Sequence, residues 1–505
     1  MMKHAWTTLL AFTLPLAVFS SPTSQQSVLG NLGHGSENAA GWIPGDDKQH
    51  TYQDGLQYEL VTHSSFNEHQ LRITQPDLCD SSVKQYSGFL DISENKHLFF
   101  WFFESRKAPE DAPLILWLNG GPGGSSVLGL LMELGPCWVT DEGKNTTFNP
   151  HSWNTDANII FIDQPVEVGF SYDDRGPSVN TSAVGAQDIY AFFQLFFDRF
   201  PEYSTQPFHI AGESYGGVYV PNIANAIYQH NKEQVDNGLK HINLASVILA
   251  NAFTDPKIQY ASIVDYACGG APYPVADPDG FLCESLRVPT DICVRLVEAC
   301  QDKPSRYTCE PAALYCNTQL MEPVSTLGLN PYDIRKKCQY NENDICYKEA
   351  QWIEKWMNTP TNKAALGVAP ERNYTAINMR VNHDFAATGE MAFNHASLLT
   401  ELVNDGIRLL VYAGDTDTIC TNFIGQHRYV EALDTEFHDE FAKAKLLPWH
   451  DSVTGRLVGQ VRSAGSAGNV TYVRVYDAGH MAPYDQPEAL HDMITRWIQT
   501  IPLST

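Results

Sequence analysis

Apolar runs that end in short turns recur along most of this chain. They lie at residues 112–124, 157–165, 207–217, 244–256, 407–417 and 471–483. Such continuous runs are typical of strands buried on both faces. Helical spacing separates them, most clearly over residues 188–200, where one face collects Ile189, Phe192, Phe193, Phe196, Phe197 and Phe200. The pattern predicts an α/β fold with a mostly parallel sheet that helices cover on both faces.

Two segments depart from this alternation. Residues 22–60 have little periodicity and are rich in glycine, serine, aspartate and histidine, so we interpret them as a propeptide or an N-terminal arm. Residues 256–385 hold most of the cysteines and lack the strand repeats of a separate α/β unit. We expect them to form a disulfide-rich insertion that covers the active site, between core segments at residues 61–255 and 386–505.

The N-terminus has the features of a cleaved signal peptide at residues 1–21. A weakly basic start precedes an apolar run from Ala5 to Phe19, and the small residues Ser20 and Ser21 follow. A buried N-terminal helix is the alternative. We expect no membrane anchor, because no other apolar run approaches a spanning length and the C-terminal residues are polar.

The charge balance is strongly acidic. Among 505 residues, 59 are Asp or Glu and 33 are Lys or Arg, which gives a formal charge of −26. This balance argues against nucleic acid and anionic membranes as partners. It suits a protein that works at acidic pH, and an ordinary secreted surface is the alternative explanation.

The cysteines and sequons indicate the secretory route. Eleven cysteines are an odd number, which in a secreted chain predicts disulfides and one unpaired thiol. The C-x-x-C spacing of zinc sites is absent from the sequence, and we expect neither a metal nor another cofactor. Glycosylation sequons occur at Asn145, Asn180, Asn373 and Asn469. We expect a secreted protein, with a vacuolar or lysosome-like compartment as the alternative; the sequence leaves the oligomeric state open.

A nucleophile elbow is the clearest catalytic motif. Residues 212–216 read GESYG, with the G-x-S-x-G spacing, after an apolar strand and before a helical pattern. That context exposes the Ser214 hydroxyl at the edge of a sheet. A glycine-rich turn with an incidental serine is the alternative.

A serine nucleophile needs a base and an acid that orients the base. In elbow-bearing α/β folds these follow in the order Ser, Asp, His. His480 comes just after the run at 471–476, whereas other histidines lie in helical or polar contexts. Asp415 and Asp417 both follow the run at 408–414, and the pattern alone does not choose between them.

A glycine-rich loop supplies the expected oxyanion hole. Residues 118–126 read LNGGPGGSS, and glycines there let the backbone approach a substrate oxygen. We assign the two N–H donors to Gly121 and Tyr215, the residue after the nucleophile. A phosphate cradle is the alternative, but the loop lacks the Lys-Ser/Thr of a P-loop.

These motifs together resemble the serine carboxypeptidase family, especially its carboxypeptidase Y branch. The matching stretches extend from about residue 79 to residue 500 and include LILWLNGGPGGSS, NIIFIDQPVEVGFSY, FHIAGESYGG, YDIRKKC, LLVYAGDTDTIC and AGHMAPYDQP. The resemblance implies an α/β-hydrolase fold with a disulfide-rich insertion, or lid, domain. It also implies an enzyme that removes single amino acids from the C-termini of peptides and proteins.

The resemblance also implies roles for individual residues. The family pattern places the catalytic acid at the second Asp of G-D-x-D, which is Asp417. The family binds the substrate's terminal carboxylate with residues that correspond to Trp117, Asn119, Glu133 and Glu213. Two glutamates in one cramped site do not both ionise cheaply, so we expect a protonated carboxyl to donate a hydrogen bond to the substrate. A Glu213 that merely favours the start of a helix is the alternative.

Pocket residues are carried over from the family in the same way. Met481 resembles a residue that lines the leaving amino acid's pocket, with core packing as its alternative. Cys420 matches a free cysteine near the pocket, with an inert buried thiol as its alternative. The remaining expected pocket residues are Phe253, Tyr260, Leu320, Tyr332 and Tyr347.

One departure from the family concerns disulfides. Gly124 stands where the family has a cysteine, and the segment around Asn373 lacks its partner. The resemblance implies the pairs Cys268–Cys283, Cys293–Cys316, Cys300–Cys309 and Cys338–Cys346. Cys79 and Cys137 are additional and are expected to form a replacement bridge, which leaves Cys420 unpaired.

Two other functions compete with a carboxypeptidase. Relatives on this scaffold include acyltransferases and esterases, and a catalytically inactive binding protein is the third candidate. The complete set Ser214, Asp417 and His480 argues against the binding protein. The four carboxylate-binding residues favour peptides with a free C-terminus.

Overall fold

The computed structural model describes residues 49–53, 55–176, 181–233, 238–338, 345–419 and 421–504. The predicted signal peptide, the sequon at Asn180 and the expected free thiol of Cys420 lie outside these ranges. The described part of the predicted arm begins at Gln49 and is paired to the edge of the main sheet.

The strands follow the apolar runs in the middle of the chain and extend the sheet at both ends. In chain order they are β1 (His50–Gln53), β2 (Leu56–Thr62), β3 (Gln70–Thr74), β4 (Gln85–Asp91), β5 (Lys96–Phe103), β6 (Leu114–Leu118), β7 (Cys137–Thr140), β8 (Asn145–Phe148), β9 (Asn158–Ile162), β10 (Tyr172–Asp173), β11 (Phe208–Glu213), β12 (Leu244–Ala250), β13 (Leu329–Asn330), β14 (Asp333–Lys337), β15 (Arg408–Gly414), β16 (Leu447–His450), β17 (Leu457–Ala464) and β18 (Val470–Val475).

The main sheet is mixed rather than mostly parallel. Its order is β1-β2-β3-β4-β5-β9-β6-β11-β12-β15-β18-β17-β16, and β10 pairs with β5. Only the centre, from β9 to β18, is parallel; the flanking strands pair antiparallel. The expectation of a mostly parallel sheet was therefore wrong for the flanks. Antiparallel outer strands are often half-exposed, as β1 and β2 are, and so lack the continuous apolar signal.

Helices connect the central strands and build the insertion. The α-helices are α1 (Ser182–Arg199), α2 (Gly216–Glu233), α3 (Pro256–Asp265), α4 (Phe281–Asp302), α5 (Arg306–Cys316), α6 (Glu322–Ser325), α7 (Glu349–Met357), α8 (Pro360–Ala365), α9 (Met379–Ala386), α10 (Leu399–Asn404), α11 (Phe423–Ala432), α12 (His438–Lys443), α13 (Ala482–Asp485) and α14 (Pro487–Ile498). Single π-helical turns lie at Gly129–Glu133, Tyr266–Gly270 and Asn317–Met321, and 3₁₀ turns at Asp141–Gly143, Trp153–Thr155, Pro201–Tyr203, Glu390–Ala392 and Ala396–Leu398.

The central sheet separates two hydrophobic cores. Alternate residues of β6 belong to opposite cores: Leu116 packs with the phenylalanines of α1, and Trp117 packs on the other face. A period of two places successive strand side chains on opposite faces, so a strand covered on both sides is apolar throughout. This arrangement confirms the predicted α/β class with helices on both faces.

The predicted insertion contains helices α3–α9, the short hairpin β13–β14 and most of the disulfides. Cys268–Cys283, Cys293–Cys316 and Cys300–Cys309 join its helices, and Cys338–Cys346 follows the hairpin. These are the pairs that the family resemblance implies. The described residues from 49 to 504 form one compact unit, so the bounds 256–385 stay a prediction.

Backbone hydrogen bonds occupy the place of the missing family disulfide. Gly124 forms an isolated antiparallel bridge with Ile377. Ser125 N donates to Ala376 O at 2.9 Å, and Asn378 N donates to Gly123 O at 2.8 Å. The glycine-rich loop is therefore tied to the same segment without a sulfur bridge. The additional bridge, Cys79–Cys137, lies elsewhere and joins the loop before β4 to β7.

Surface features bear on the expected secretory route. Asn145 and Asn373 are exposed and Asn469 is half-buried, so the glycosylation of these sequons stays a prediction. Among the described residues, the helices are too short or too polar to cross a membrane.

The aromatic face of α1 gives a test of the packing. Phe196 is fully buried and its ring contacts those of Phe102 and Phe200. Phe196→Ala should lower the free energy of unfolding by about 3–5 kcal/mol, because it removes a buried ring and leaves a cavity. Val184→Ala, at an exposed position of the same helix, should change it by less than about 0.5 kcal/mol. Urea unfolding of both variants measures the difference, and equal effects would contradict the assigned packing.

Candidate active site

Ser214 lies at the sharp turn between β11 and α2. Its φ of 61° is in the left-handed region, which is uncommon for a residue other than glycine. Backbone hydrogen bonds hold this turn: Ser214 N donates to Ala250 O at 3.1 Å, and Phe253 N donates to Ser214 O at 2.8 Å. The strand-turn-helix context is the one that a nucleophile elbow requires.

Asp417 and His480 meet beyond the neighbouring strands. The Nδ1 of His480 lies 2.8 Å from Oδ2 of Asp417, and both side chains are buried. Because a carboxylate only accepts, Nδ1 carries the proton and Nε2 is left as the basic nitrogen. Asp415 instead forms an ion pair with Arg474 at 3.1 Å, and burial raises its pKa to about 6. The geometry therefore favours Asp417 over Asp415 as the residue that orients His480.

Two further residues surround Asp417 that the sequence analysis missed. Asn251 Nδ2 and Thr421 Oγ1 donate to Asp417 Oδ2 at 2.9 and 2.7 Å. Thr421 Oγ1 also lies 3.3 Å from Nδ1 of His480. Asn251 is the polar residue that directly follows β12, a position at the same sheet edge that signals a site. Thr421 carries no comparable signal in the sequence.

The order of the central strands brings the three residues to one edge. Ser214 follows β11, Asp417 follows β15 and His480 follows β18, and the order in the sheet is β11-β12-β15-β18. The carboxyl ends of parallel strands share one edge, which is where ligands bind in open α/β sheets. In the part of the chain that is described, no hydrogen bond joins Ser214 Oγ to His480. Catalytic hydrogen bonds often tighten only when substrate binds.

The glycine-rich loop after β6 packs directly against the elbow. A Cβ added to Gly120 would lie 2.2 Å from Tyr215 N, so only glycine allows this approach. The predicted donors Gly121 and Tyr215 therefore belong to two backbones in contact. The Tyr215 side chain is buried, and its hydroxyl donates to Glu390 Oε1 at 2.9 Å.

Trp117, Asn119, Glu133 and Glu213 form one buried cluster beside the elbow. Asn119 Oδ1 accepts from Trp117 Nε1 and from Gly129 N, each at 2.9 Å. These two bonds fix the orientation of the amide. Its Nδ2 then donates to Oε1 of Glu133 at 3.3 Å and to Oε1 of Glu213 at 3.2 Å. The structure thus brings together all four residues predicted to bind the substrate carboxylate.

The two glutamates share a site with too few donors. Oε2 of each is buried and has no other hydrogen-bond partner, while the two carboxyl groups are in hydrogen-bonding contact. Burial and the neighbouring Glu133 hold the pKa of Glu213 well above its usual range, and burial also raises the pKa of Glu133. Two carboxylates in contact and out of water do not both ionise readily, so a proton resides on the pair.

The predicted pocket residues fall into two groups. Tyr332 lies with its ring 5.3 Å from that of His480 and 6.4 Å from that of Tyr347, and buried Met481 directly follows His480. The rings of Phe253 and Tyr260 pack edge to face with their centroids 5.4 Å apart, and both residues belong to the same hydrophobic core as Leu320. Tyr260 and Leu320 are fully buried. Their contact with substrate stays a prediction, and Cys420 lies outside the described residues.

Comparison with known proteins extends these observations. The fold defines an α/β-hydrolase. A model of the serine carboxypeptidase family matches residues 75–500. The chain therefore belongs to the serine carboxypeptidase family, and it is a serine carboxypeptidase hydrolase.

Individual relatives agree with this assignment. The chain is 44% identical to carboxypeptidase Y of Komagataella phaffii over 419 residues, which cover 82% of this chain and 76% of that protein. It is 43% identical to carboxypeptidase Y homolog A of Arthroderma otae over 424 residues, 83% of this chain and 75% of the relative. Among solved structures, the chain is similar to Kex1(delta)p, a prohormone-processing carboxypeptidase from Saccharomyces cerevisiae, with a TM-score of 0.71 and 25% identity. The match covers 84% of this chain and 94% of the Kex1(delta)p chain.

The raised pKa of Glu213 predicts how stability changes with pH. The folded state binds a proton on Glu213 more tightly than the unfolded state, so this group's contribution to stability is complete below its ordinary pKa of 4.5 and is lost as pH rises through the higher folded value. Glu213→Gln removes this loss, because a neutral amide does not ionise. The difference between the melting temperature of the variant and that of the parent should therefore shift in favour of the variant as pH rises from acid to neutral.

Differential scanning fluorimetry across this pH range measures that gain. Glu202→Gln, an exposed position, is the matched control and should track the parent at each pH. A Glu213→Gln curve parallel to the parent's would contradict a proton shared by the buried pair.

Proposed function

We propose that this enzyme releases the C-terminal amino acid of peptides through an acyl-enzyme on Ser214, and that it works best at acidic pH. The observation that carries the proposal is the buried pair Glu133 and Glu213 directly beside the elbow. A hydrolase with no need to bind a carboxylate gains nothing from two buried acids next to its nucleophile, since their burial is costly.

The chemistry follows from the roles of three side chains. His480 Nε2 takes the proton of Ser214 as Oγ bonds to the scissile carbonyl carbon, and Asp417 stabilises the imidazolium that forms. The N–H groups of Gly121 and Tyr215 bind the oxyanion. The C–N bond then breaks as His480 returns the proton to the leaving amine. A water molecule, deprotonated by the same nitrogen, hydrolyses the ester and regenerates Ser214.

Recognition of the chain end depends on the proton held by the glutamate pair. A protonated Glu213 donates a hydrogen bond to the substrate carboxylate, together with the amide Nδ2 of Asn119, which Trp117 Nε1 orients by donating to Asn119 Oδ1. As pH rises through the raised pKa of Glu213, the pair becomes more negative and repels the same carboxylate. KM should therefore rise with pH for substrates that have a free C-terminus.

Two further features complete the proposal. We infer that the insertion at residues 256–385 covers the site, because its hairpin β13–β14 contacts the loops of Asp417 and His480. We also infer secretion or delivery to an acidic compartment from the N-terminal sequence pattern and the paired cysteines.

A blocked dipeptide and its C-terminal amide test the substrate class. The parent enzyme should release the terminal amino acid from the free acid faster at about pH 4.5 than at about pH 7.5, and much less readily from the amide in acid. Ser214→Ala should lower kcat by at least about 10³-fold because the nucleophile is lost. Release quantified by chromatography gives both values. Equal rates on acid and amide would indicate an esterase or acyltransferase instead.

The pH dependence of KM tests the role of the glutamate pair. Glu213→Gln keeps a neutral donor at every pH, so its KM for the free acid should rise much less with pH than the parent's, which should rise about tenfold or more. The amide substrate serves as the control, because it has no charge to repel. A parental KM that does not change with pH would contradict the shared-proton account.

A further inference from the structure

The hairpin β13–β14, residues 329–337, touches the loops of both Asp417 and His480. Ile334 N donates to Thr416 O at 3.0 Å, and Thr418 N donates to Pro331 O at 3.1 Å. These two bonds bracket Asp417 in the sequence. His480 N donates to Tyr332 O at 2.7 Å, so the same hairpin also fixes the backbone of the base.

The hairpin packs so closely against the loop of His480 that position 479 has no space for a side chain. A Cβ on Gly479 would lie 2.4 Å from Tyr332 O and 2.9 Å from the Cβ of Asp333. A small shift of the hairpin is therefore passed directly to His480. The 2.8 Å contact between His480 and Asp417 depends on two loops that are both held by this one element.

Four charged side chains hold the hairpin in place. Asp333 is fully buried and accepts from Nε and Nη2 of Arg335, each at 2.8 Å, and from Lys336 Nζ at 2.9 Å. Asp485 pairs with the same two cations at 3.1 and 2.9 Å. It also accepts from Gly479 N at 2.8 Å. Two anions and two cations thus tie the hairpin to the residue before His480.

Asp333 adds a direct side-chain link to the other loop. Thr416 Oγ1 donates to Asp333 Oδ1 at 3.0 Å. A buried carboxylate with this many donors is costly to disturb, because removal of its charge leaves Arg335 and Lys336 facing each other with Asp485 as the anion that still pairs with both. The four charges and the Thr416 hydroxyl form one connected network around the loops of the acid and the base.

We propose that Asp333 is a positioning residue for catalysis: through Arg335, Lys336 and Thr416 it holds the hairpin that sets the geometry between Asp417 and His480. This inference rests on the proposed function, since it assigns those two residues to the triad. Asp333 itself touches no reacting atom. This positioning role would make the predicted insertion part of the catalytic machinery as well as its cover.

The rate at which an organofluorophosphate labels Ser214 tests this proposal. Such a reagent needs the triad but does not engage the substrate pockets, so changes around Tyr332 do not confuse the result. In Asp333→Asn the rate should fall by about 10- to 100-fold, because a small misplacement of the base has effects of that size. With a peptide substrate, kcat should fall by a similar factor and KM by much less.

Two sets of variants separate positioning from general loss of stability. Asp91→Asn removes a half-buried carboxylate that has a bidentate arginine, Arg72, in strands remote from the site. It should lower the melting temperature and leave the labelling rate at the parental value. Thr416→Val should slow labelling several-fold, whereas Thr416→Ser keeps the hydroxyl and should stay near the parent. The Thr416 pair gives the answer even if Asp333→Asn fails to fold.

The outcomes are distinct. Parental labelling rates in both Asp333→Asn and Thr416→Val would overturn the positioning role while leaving the proposed function intact. A loss in Asp91→Asn as large as in Asp333→Asn would also overturn it, since the effect would then be one of stability alone. A parent enzyme that is not labelled at Ser214 would overturn the proposed function and this inference with it.

Discussion

The carboxylate of Asp417 is the constraint on which the arrangement of the site depends. It is fully buried, and a buried charge is tolerated only when hydrogen bonds replace the water it has lost. Its donors come from separate places: Asn251 after β12, Thr421 before α11, the backbone of Ile419 and the imidazole of His480. The need to satisfy one anion therefore fixes the relative positions of the loops that follow three neighbouring strands.

Glu133 and Glu213 are also buried acids, but they have far fewer hydrogen-bond donors than Asp417. They are as deeply buried as Asp417, yet one amide, Asn119, donates to both, and an oxygen of each lacks any other partner. Several donors surround Asp417, whereas few reach the glutamate pair, and there burial together with the neighbouring carboxyl raises the pKa of Glu213. In the proposed mechanism Asp417 accepts hydrogen bonds and Glu213 donates one, and the local count of donors separates the two.

The central strands of this fold could be predicted from the sequence, and the outer strands and part of the site could not, for physical reasons. Strands buried on both faces have continuous apolar runs, so the elbow at Ser214 and the position of His480 could be predicted from pattern and turn chemistry. The outermost antiparallel strands β1, β2 and β16 are partly exposed and gave no such signal. Strand β5 is buried and apolar, but an apolar run does not tell parallel from antiparallel pairing. Asp417 and Asp415 are equivalent in pattern; what distinguishes them is the partner each finds, His480 or Arg474. Glu133 contacts Glu213 and Asp333 contacts Thr416, residues that only the fold brings close, so spacing does not single them out. Thr421 is four residues from Asp417 but belongs to no recognisable motif, and only the family resemblance indicated Glu133.

The dependence of the triad on the hairpin changes what the insertion is expected to do. A cover over an active site needs only to exclude water and shape pockets, and its sequence is free to vary in any way that keeps that shape. This insertion also supplies backbone acceptors and a donor to the loops of Asp417 and His480. Its predicted pocket residue Tyr332 belongs to the same hairpin that holds His480. Under the proposed mechanism, a substitution that reshapes this pocket by moving the hairpin would therefore also move His480, and substrate preference and turnover would be coupled through one short element.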